Sequence, residues 1–162
     1  MFLPDLWAWL ESLPISIHIA ETWWFPLLES LHVIGSTFIV GSILMVDLRL
    51  LDLAARRHSV SRIIREILPW TYLALTLSIV AGVGLFLSRA SYYVPNRAFQ
   101  IKMILLVLAG VNMAVFHLAT ARSLGRWDTA AATTRGAKVA GGCSLLLWMG
   151  VMLAGRWIGH LS

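Results

Sequence analysis

Four runs of apolar residues, at about 24–48, 67–88, 99–121 and 139–158, decide what this chain can fold into. A helix rises 1.5 Å per residue, so about twenty apolar residues cross the ~30 Å hydrocarbon layer of a bilayer. Hydrophobic residues make up 59% of the 162, charged ones 13%, and mean hydropathy is +0.78, a balance that suits lipid as the solvent. Lipid offers a bare backbone no partner, so each run has to close its hydrogen bonds within a helix. Short loops join the runs. The expected fold is an all-α integral membrane protein, a four-transmembrane-helix up-and-down bundle over residues 23–162, preceded by an N-terminal segment, 1–22.

In residues 3–13, Leu3, Leu6, Trp7, Leu10 and Leu13 recur at helical spacing opposite Asp5, Glu11 and Ser12, with Trp9 at the border. This pattern predicts an interfacial amphipathic helix lying along the membrane. It has no Lys or Arg, so burial of Trp and Leu, rather than attraction to anionic lipid, has to hold it. Pro14 breaks the pattern, and the alternation of Ile15, Ile17 and Ile19 fits either a short strand-like linker or a second interfacial turn. No basic n-region precedes a long apolar stretch with a small-residue cleavage site, so the N-terminus is expected to be retained.

The net charge of +5 does not indicate nucleic acid, because the basic residues sit between apolar runs instead of along one patch. Arg49, Arg56, Arg57, Arg62, Arg65, Arg122, Arg126, Arg135 and Lys138 follow the first and third spans, against Arg89, Arg97, Lys102 and Arg156 on the other side. By the positive-inside rule both termini face out. Cys143 is the lone cysteine, which excludes an internal disulfide, CxxC metal sites and covalent c-type haem, and leaves a non-covalent cofactor held by histidines open.

Polar groups inside apolar spans are costly and usually face a protein interior, a cavity or a ligand. At 100° per residue, Glu29, His32, Ser36, Ile43 and Asp47 fall on roughly one face of the first span. Gly35-Ser36 and Gly41-Ser42 give that helix small surfaces for a neighbouring helix or a flat ligand. The second span is expected to start at Pro69-Trp70 and carries Gly82 and Gly84; the third holds Lys102, Asn112 and His117. Measured along each helix from its basic end, His32 lies roughly 25 Å from Arg49 but His117 only about 8 Å from Arg122, so the two do not share one iron. Glu29, Lys102 and Arg156 reach the same outer layer as His32, which predicts an outer polar cluster.

Within that layer His32 is the first candidate axial ligand for haem b, with His160 or His18 as a second ligand and Lys102 and Arg156 as partners for the propionates. A second, inner metal site would use His117 with His58, Asp47 or Met113. Each residue also has a plainer reading: His32 as a hydrogen-bonded tie between helices, Glu29, Lys102 and Arg156 as a salt-bridge network or a site for an anion or quinone headgroup, and Asp47 paired with Arg49 or a basic residue of the next loop, with a proton relay as its functional alternative. Trp148, in mid-span, packs on a flat ligand or in the core, and Gly155-x-x-x-Gly159 matches a common helix-packing pattern. No residue is assigned a catalytic role.

The run Trp24-Phe25-Pro26, Glu29, Leu31-His32, Gly35, Gly41, Asp47-Leu48-Arg49-Leu50-Leu51 resembles a family of small bacterial four-helix membrane proteins of unknown function. Leu68-Pro69-Trp70, Asn96, Phe99, Lys102, Asn112 and Phe116-His117 carry the likeness along nearly the whole chain. The resemblance implies a bacterial inner membrane protein with periplasmic termini, loosely b-type cytochrome-like or copper-resistance-like, with His32 and His117 as the histidines that match the pattern. Three functions stay open: a haem b electron-transfer protein exchanging with quinone or a redox partner protein, a cofactor-free accessory or anchor subunit of a larger complex or homo-oligomer, and a small metal or solute transporter.

Overall fold

The backbone of each apolar run does pair with itself in a helix. A computed structural model describes residues 3–54, 59–120 and 133–160. It places α1 at Leu3–Glu11, α2 at Pro14–Glu21, α3 at Trp24–Leu50, α4 at Val60–Ser88, α5 at Ala90–Tyr93, α6 at Arg97–Val115 and α7 at Arg135–Trp157. A wider π turn over Phe116–Thr120 continues α6, and there is no strand among the described residues. Four helices, Trp24–Leu50, Val60–Ser88, Arg97–Leu118 and Arg135–Trp157, are long and apolar enough to cross a membrane. Large apolar side chains such as Ile34, Phe38, Val80, Val107 and Leu146 point outward from them, as expected of surfaces facing lipid.

Local chemistry sets the boundaries. The Ser59 hydroxyl accepts from the Arg62 backbone N–H and starts α4 at Val60, well before the expected start at Pro69. Pro69 therefore lies inside the helix, where its ring removes one backbone donor without ending the element. Asn96 and Thr134 cap α6 and α7 in the same way, accepting from Phe99 and Ala137. Residues 14–21 form a helix, which decides between the two readings of that segment, and Pro14 sits at its first turn, where a missing N–H costs nothing.

Successive long helices run antiparallel. α3 packs on α4 and α7, and α7 packs on α6, so the order across the bundle is α4, α3, α7, α6. α4 and α6 meet through the Phe86–Phe99 stack, ring centroids 5.8 Å apart, instead of packing along their lengths. Two close approaches fix the spacing. A Cβ on Gly35 would stand 3.0 Å from the Ala74 carbonyl oxygen of α4, and one on Gly141 would stand 3.1 Å from Leu50 Cβ of α3. Gly41 and Gly159, by contrast, have open space where a Cβ would go.

Each end of the bundle is closed differently. At the Asn96 end, Tyr92 and Asn96 donate to the Ile158 carbonyl at 3.1 and 2.9 Å. α1 lies across this end: the Glu11 carboxylate accepts from Ser91 N–H at 2.7 Å and from Ser91 Oγ at 3.1 Å, and Trp7 meets Phe86 edge-on. Protein contacts thus hold the amphipathic segment, while Leu6 and Trp9 stay exposed. At the other end Leu50, Val60, Phe116 and Ala137 form an apolar core.

Beside that core, α3 terminates in a Schellman turn, with Leu53 N–H on Leu48 O and Asp52 N–H on Arg49 O. Asp52 takes the left-handed position at φ 59°, a place usually given to glycine. Its carboxylate offsets that cost by gathering Arg49 Nη1 at 3.2 Å, Lys138 Nζ at 2.8 Å and the Thr133 N–H, while Thr133 Oγ1 donates to Leu50 O at 2.6 Å. Arg49 therefore pairs with Asp52 and not with Asp47, one of the two partnerships open to Asp47; Arg56 and Arg57 of the next loop lie outside the described residues. Residues two apart on a helix do not face each other, whereas residues three apart do. Burial alone would raise the Asp52 carboxyl, yet hydrogen bonds from Lys138 and Thr133 outweigh it and hold the group below the ordinary aspartate range.

Two outcomes follow for thermal unfolding in detergent. Gly35→Ala forces a methyl against backbone and is expected to cost about 1–3 kcal/mol, whereas Gly41→Ala in open space is expected to be neutral or to gain about 0.5–1 kcal/mol. A carboxyl held low when folded stabilises the fold above its unfolded pKa of about 3.9, and that contribution disappears as pH falls through the folded value. Asp52→Asn should accordingly lose stability at neutral pH and show a shallower acid limb than the parent; an identical acid limb would contradict the clamp.

Candidate functional site

The close approach at Gly35 brings the middle of α4 against α3, and three polar side chains meet there. His32 and Ser36 are one turn apart on α3, and Ser78 projects from α4. His32 Nδ1 lies 2.8 Å from the Ser78 carbonyl oxygen. A carbonyl only accepts, so Nδ1 carries the proton and Nε2 is left with its lone pair. Ser78 Oγ adds contacts to Nδ1 at 3.3 Å and to Ser36 Oγ at 2.9 Å. The ring reaches this carbonyl because Gly82, one turn on, has no side chain: a Cβ there would stand 3.0 Å from His32 Cε1.

The Nε2 lone pair faces Lys102 Nζ of α6 at 3.3 Å, so Lys102 donates and His32 accepts. Gly155 of α7 flanks the lysine, and a Cβ there would stand in ordinary contact with Nζ and the side-chain carbons at 3.7–3.8 Å. No Asp or Glu among the described residues pairs with Lys102. A half-buried ammonium without a countercharge is expensive in an apolar setting, and its single strong partner is neutral. One turn along α6 toward the Asn96 end lies Phe99, which stacks on Phe86 and tilts against Tyr93 at 5.6 Å. Burial pushes the Tyr93 phenol up, with a smaller push from the Glu29 charge and an opposing pull from Arg89, so the hydroxyl stays neutral.

His32 and Lys102 are thus brought together as neighbours of one site. Glu29 and Arg156 are exposed, and no ion pair joins them to Lys102 among the described residues. The inward residue at that level of α3 is Leu28, whose tip fills the space beside Gly84. His18 and His160 are exposed. His117 is exposed on the π turn and its Nδ1 binds the Met113 carbonyl of its own helix at 2.9 Å. His58 lies outside the described residues. Among the described residues no three His, Cys, Asp or Glu side chains gather into a metal site. Sequence reasoning missed Ser78, whose only advance signal is its spacing of four from Gly82.

For haem on His32 the donor set fits in one respect and fails in two. The Ser78 carbonyl orients the imidazole as a second partner orients a ligating histidine. However, Nε2 points at a cation, and none of the described histidines faces it from another helix. What the site offers as packed is an ammonium with spare donors beside an imidazole of fixed tautomer. It is suited to an oxygen that carries or gains negative charge.

The model of a family of unknown function, DUF6644, matches residues 19–161. No curated protein and no solved structure matches the chain.

The tautomer gives a direct check on this geometry. Gly82→Ala should displace the ring, weaken the bond to Ser78 and shift the His32 15N resonances away from the pattern of a clean Nδ1–H tautomer. Unchanged resonances would show that the ring does not rest against Gly82.

Proposed function

The chain belongs to that family of unknown function, and from the geometry of its own site we propose that it is a quinone-binding membrane subunit of a redox system. The observation that carries this reading is Lys102 Nζ held 3.3 Å from His32 Nε2 with no carboxylate among the described residues to neutralise it. A quinone carbonyl oxygen gains negative charge as it is reduced, and a desolvated ammonium aimed at that oxygen favours the reduced form. An ammonium has three donors, so Lys102 serves Nε2 and a ligand oxygen together. The imidazole lone pair beside it accepts a proton from the lysine or from the ligand, which is general acid–base work. The Phe86, Phe99 and Tyr93 rings one turn away give a flat apolar headgroup a surface to pack on.

In this role the bundle sits in a bacterial inner membrane with both termini outside, an orientation supported by the basic residues that follow the first and third spans. α1 then lies at the outer interface, and a redox partner protein or second subunit supplies or removes electrons. Haem b on His32 is the second reading, favoured by the Ser78 carbonyl that orients the ring. When bound it would supply one-electron chemistry, and Lys102 would have to leave Nε2 to admit it.

Protein reconstituted in nanodiscs is expected to bind a short-chain ubiquinone analogue, read by quenching of tryptophan fluorescence. Lys102→Gln should weaken binding by about tenfold, equivalent to about 1.4 kcal/mol, with little change in thermal unfolding. Equal affinity for parent and variant would remove the quinone reading. A Soret band in the purified protein that His32→Ala abolishes would move the assignment to haem.

A further inference from the structure

The seam between α3 and α7 holds a titratable group that the Lys102 site does not use. Asp47 is only 4% exposed and lies about one turn inside the Leu50 end of α3. The Ser144 hydroxyl of α7 is the polar side chain set beside its carboxyl, while among the described residues Oδ2 has no hydrogen-bond partner. Gly141, one turn before Ser144, keeps the seam tight, since a Cβ on it would stand 3.3 Å from Asp47 O.

The charged groups around Asp47 are engaged elsewhere. On its own helix Arg49 binds Asp52 at 3.2 Å, and on α7 Lys138 binds the same Asp52 carboxylate at 2.8 Å. α4 and the π turn contribute Val60, Ile64 and Phe116 around Leu50 and Val46. The titratable groups nearest in sequence on those elements turn away: Arg62 and Glu66 bind each other in the open, and exposed His117 binds Met113 O. An ionised carboxylate normally takes several donors or a cation, and one hydroxyl does not supply them. A neutral carboxylic acid fits this seam with far less penalty.

We propose that Asp47 is a proton-binding site, which holds its proton at neutral pH while the α3–α7 seam is closed and gives it to water when α7 parts from α3. The exchange balances as carboxylic acid and water to carboxylate and hydronium, and reverses on closure. The latch on the same seam is Asp52 with Lys138 and Thr133, about a turn and a half further along. Two aspartates five residues apart thus divide the work: the one with three kinds of donor is ionised and holds the seam, and the one with a single donor carries the proton. This inference stands on the seam alone and does not depend on quinone binding.

Infrared spectroscopy of the reconstituted protein tests it. The expected result at neutral pH is a carboxylic-acid C=O band that shifts in D2O, is absent from Asp47→Asn, and exchanges with D2O faster in Lys138→Ala, whose latch is weakened. A carboxylate signal for Asp47 at neutral pH, whether a water or a cation satisfies it, overturns the proposal. So does exchange at an unchanged rate in Lys138→Ala. Should Asp47→Asn fail to fold, carboxyl 13C NMR of the aspartate-labelled parent reads the same protonation state, with the Asp47 resonance identified by its shift in Ser144→Ala.

Discussion

The spacing of α3 and α4 is set where a carbonyl oxygen of Ala74 stands 3.0 Å from the place a Gly35 side chain would begin. Everything in the outer polar site follows from that approach. It lets the His32 ring reach across to the Ser78 carbonyl, and that bond fixes which imidazole nitrogen carries the proton. The fixed tautomer leaves a lone pair for Lys102, which arrives from α6 beside Gly155. Gly35 and Gly82 here act less as general helix-packing surfaces than as specific clearances, one for a facing backbone and one for the His32 ring.

The other end of the bundle follows the opposite logic. Asp52 accepts backbone strain at the end of α3 because its carboxylate is worth more there as a hub for Arg49, Lys138 and Thr133. Asp47, about a turn and a half back, is shielded by the seam that this hub holds shut. Local burial differs little between the two, at 4% and 5% exposure, so the supply of donors rather than depth distinguishes their chemistry.

The four long helices were legible in the sequence because lipid allows an apolar run one backbone solution, and the caps at Ser59, Asn96 and Thr134 refine only where each begins. Arithmetic along the helix axes also brought Lys102 to the level of His32, since rise per residue is nearly constant. Rotation about the axis was harder to read. In α4 only the spacing of four from Gly82 hints that Ser78 faces inward, until Gly35 fixes how that helix sits. Glu29 shares the His32 face only loosely, 60° from it, and Leu28 takes the inward place. The pairing of Asp47 with Arg49 failed because helical geometry turns residues two apart away from each other.

α4 and α6 touch through two stacked rings and do not pack along their lengths. With the four long helices spanning a bilayer, the flank between α4 and α6 beneath the Phe86–Phe99 bridge faces hydrocarbon and not water. A molecule arriving by that route diffuses in two dimensions and never sheds a full hydration shell. Its occupancy is governed by mole fraction in the lipid, so diluting the membrane with extra phospholipid empties such a flank even when the aqueous volume is unchanged.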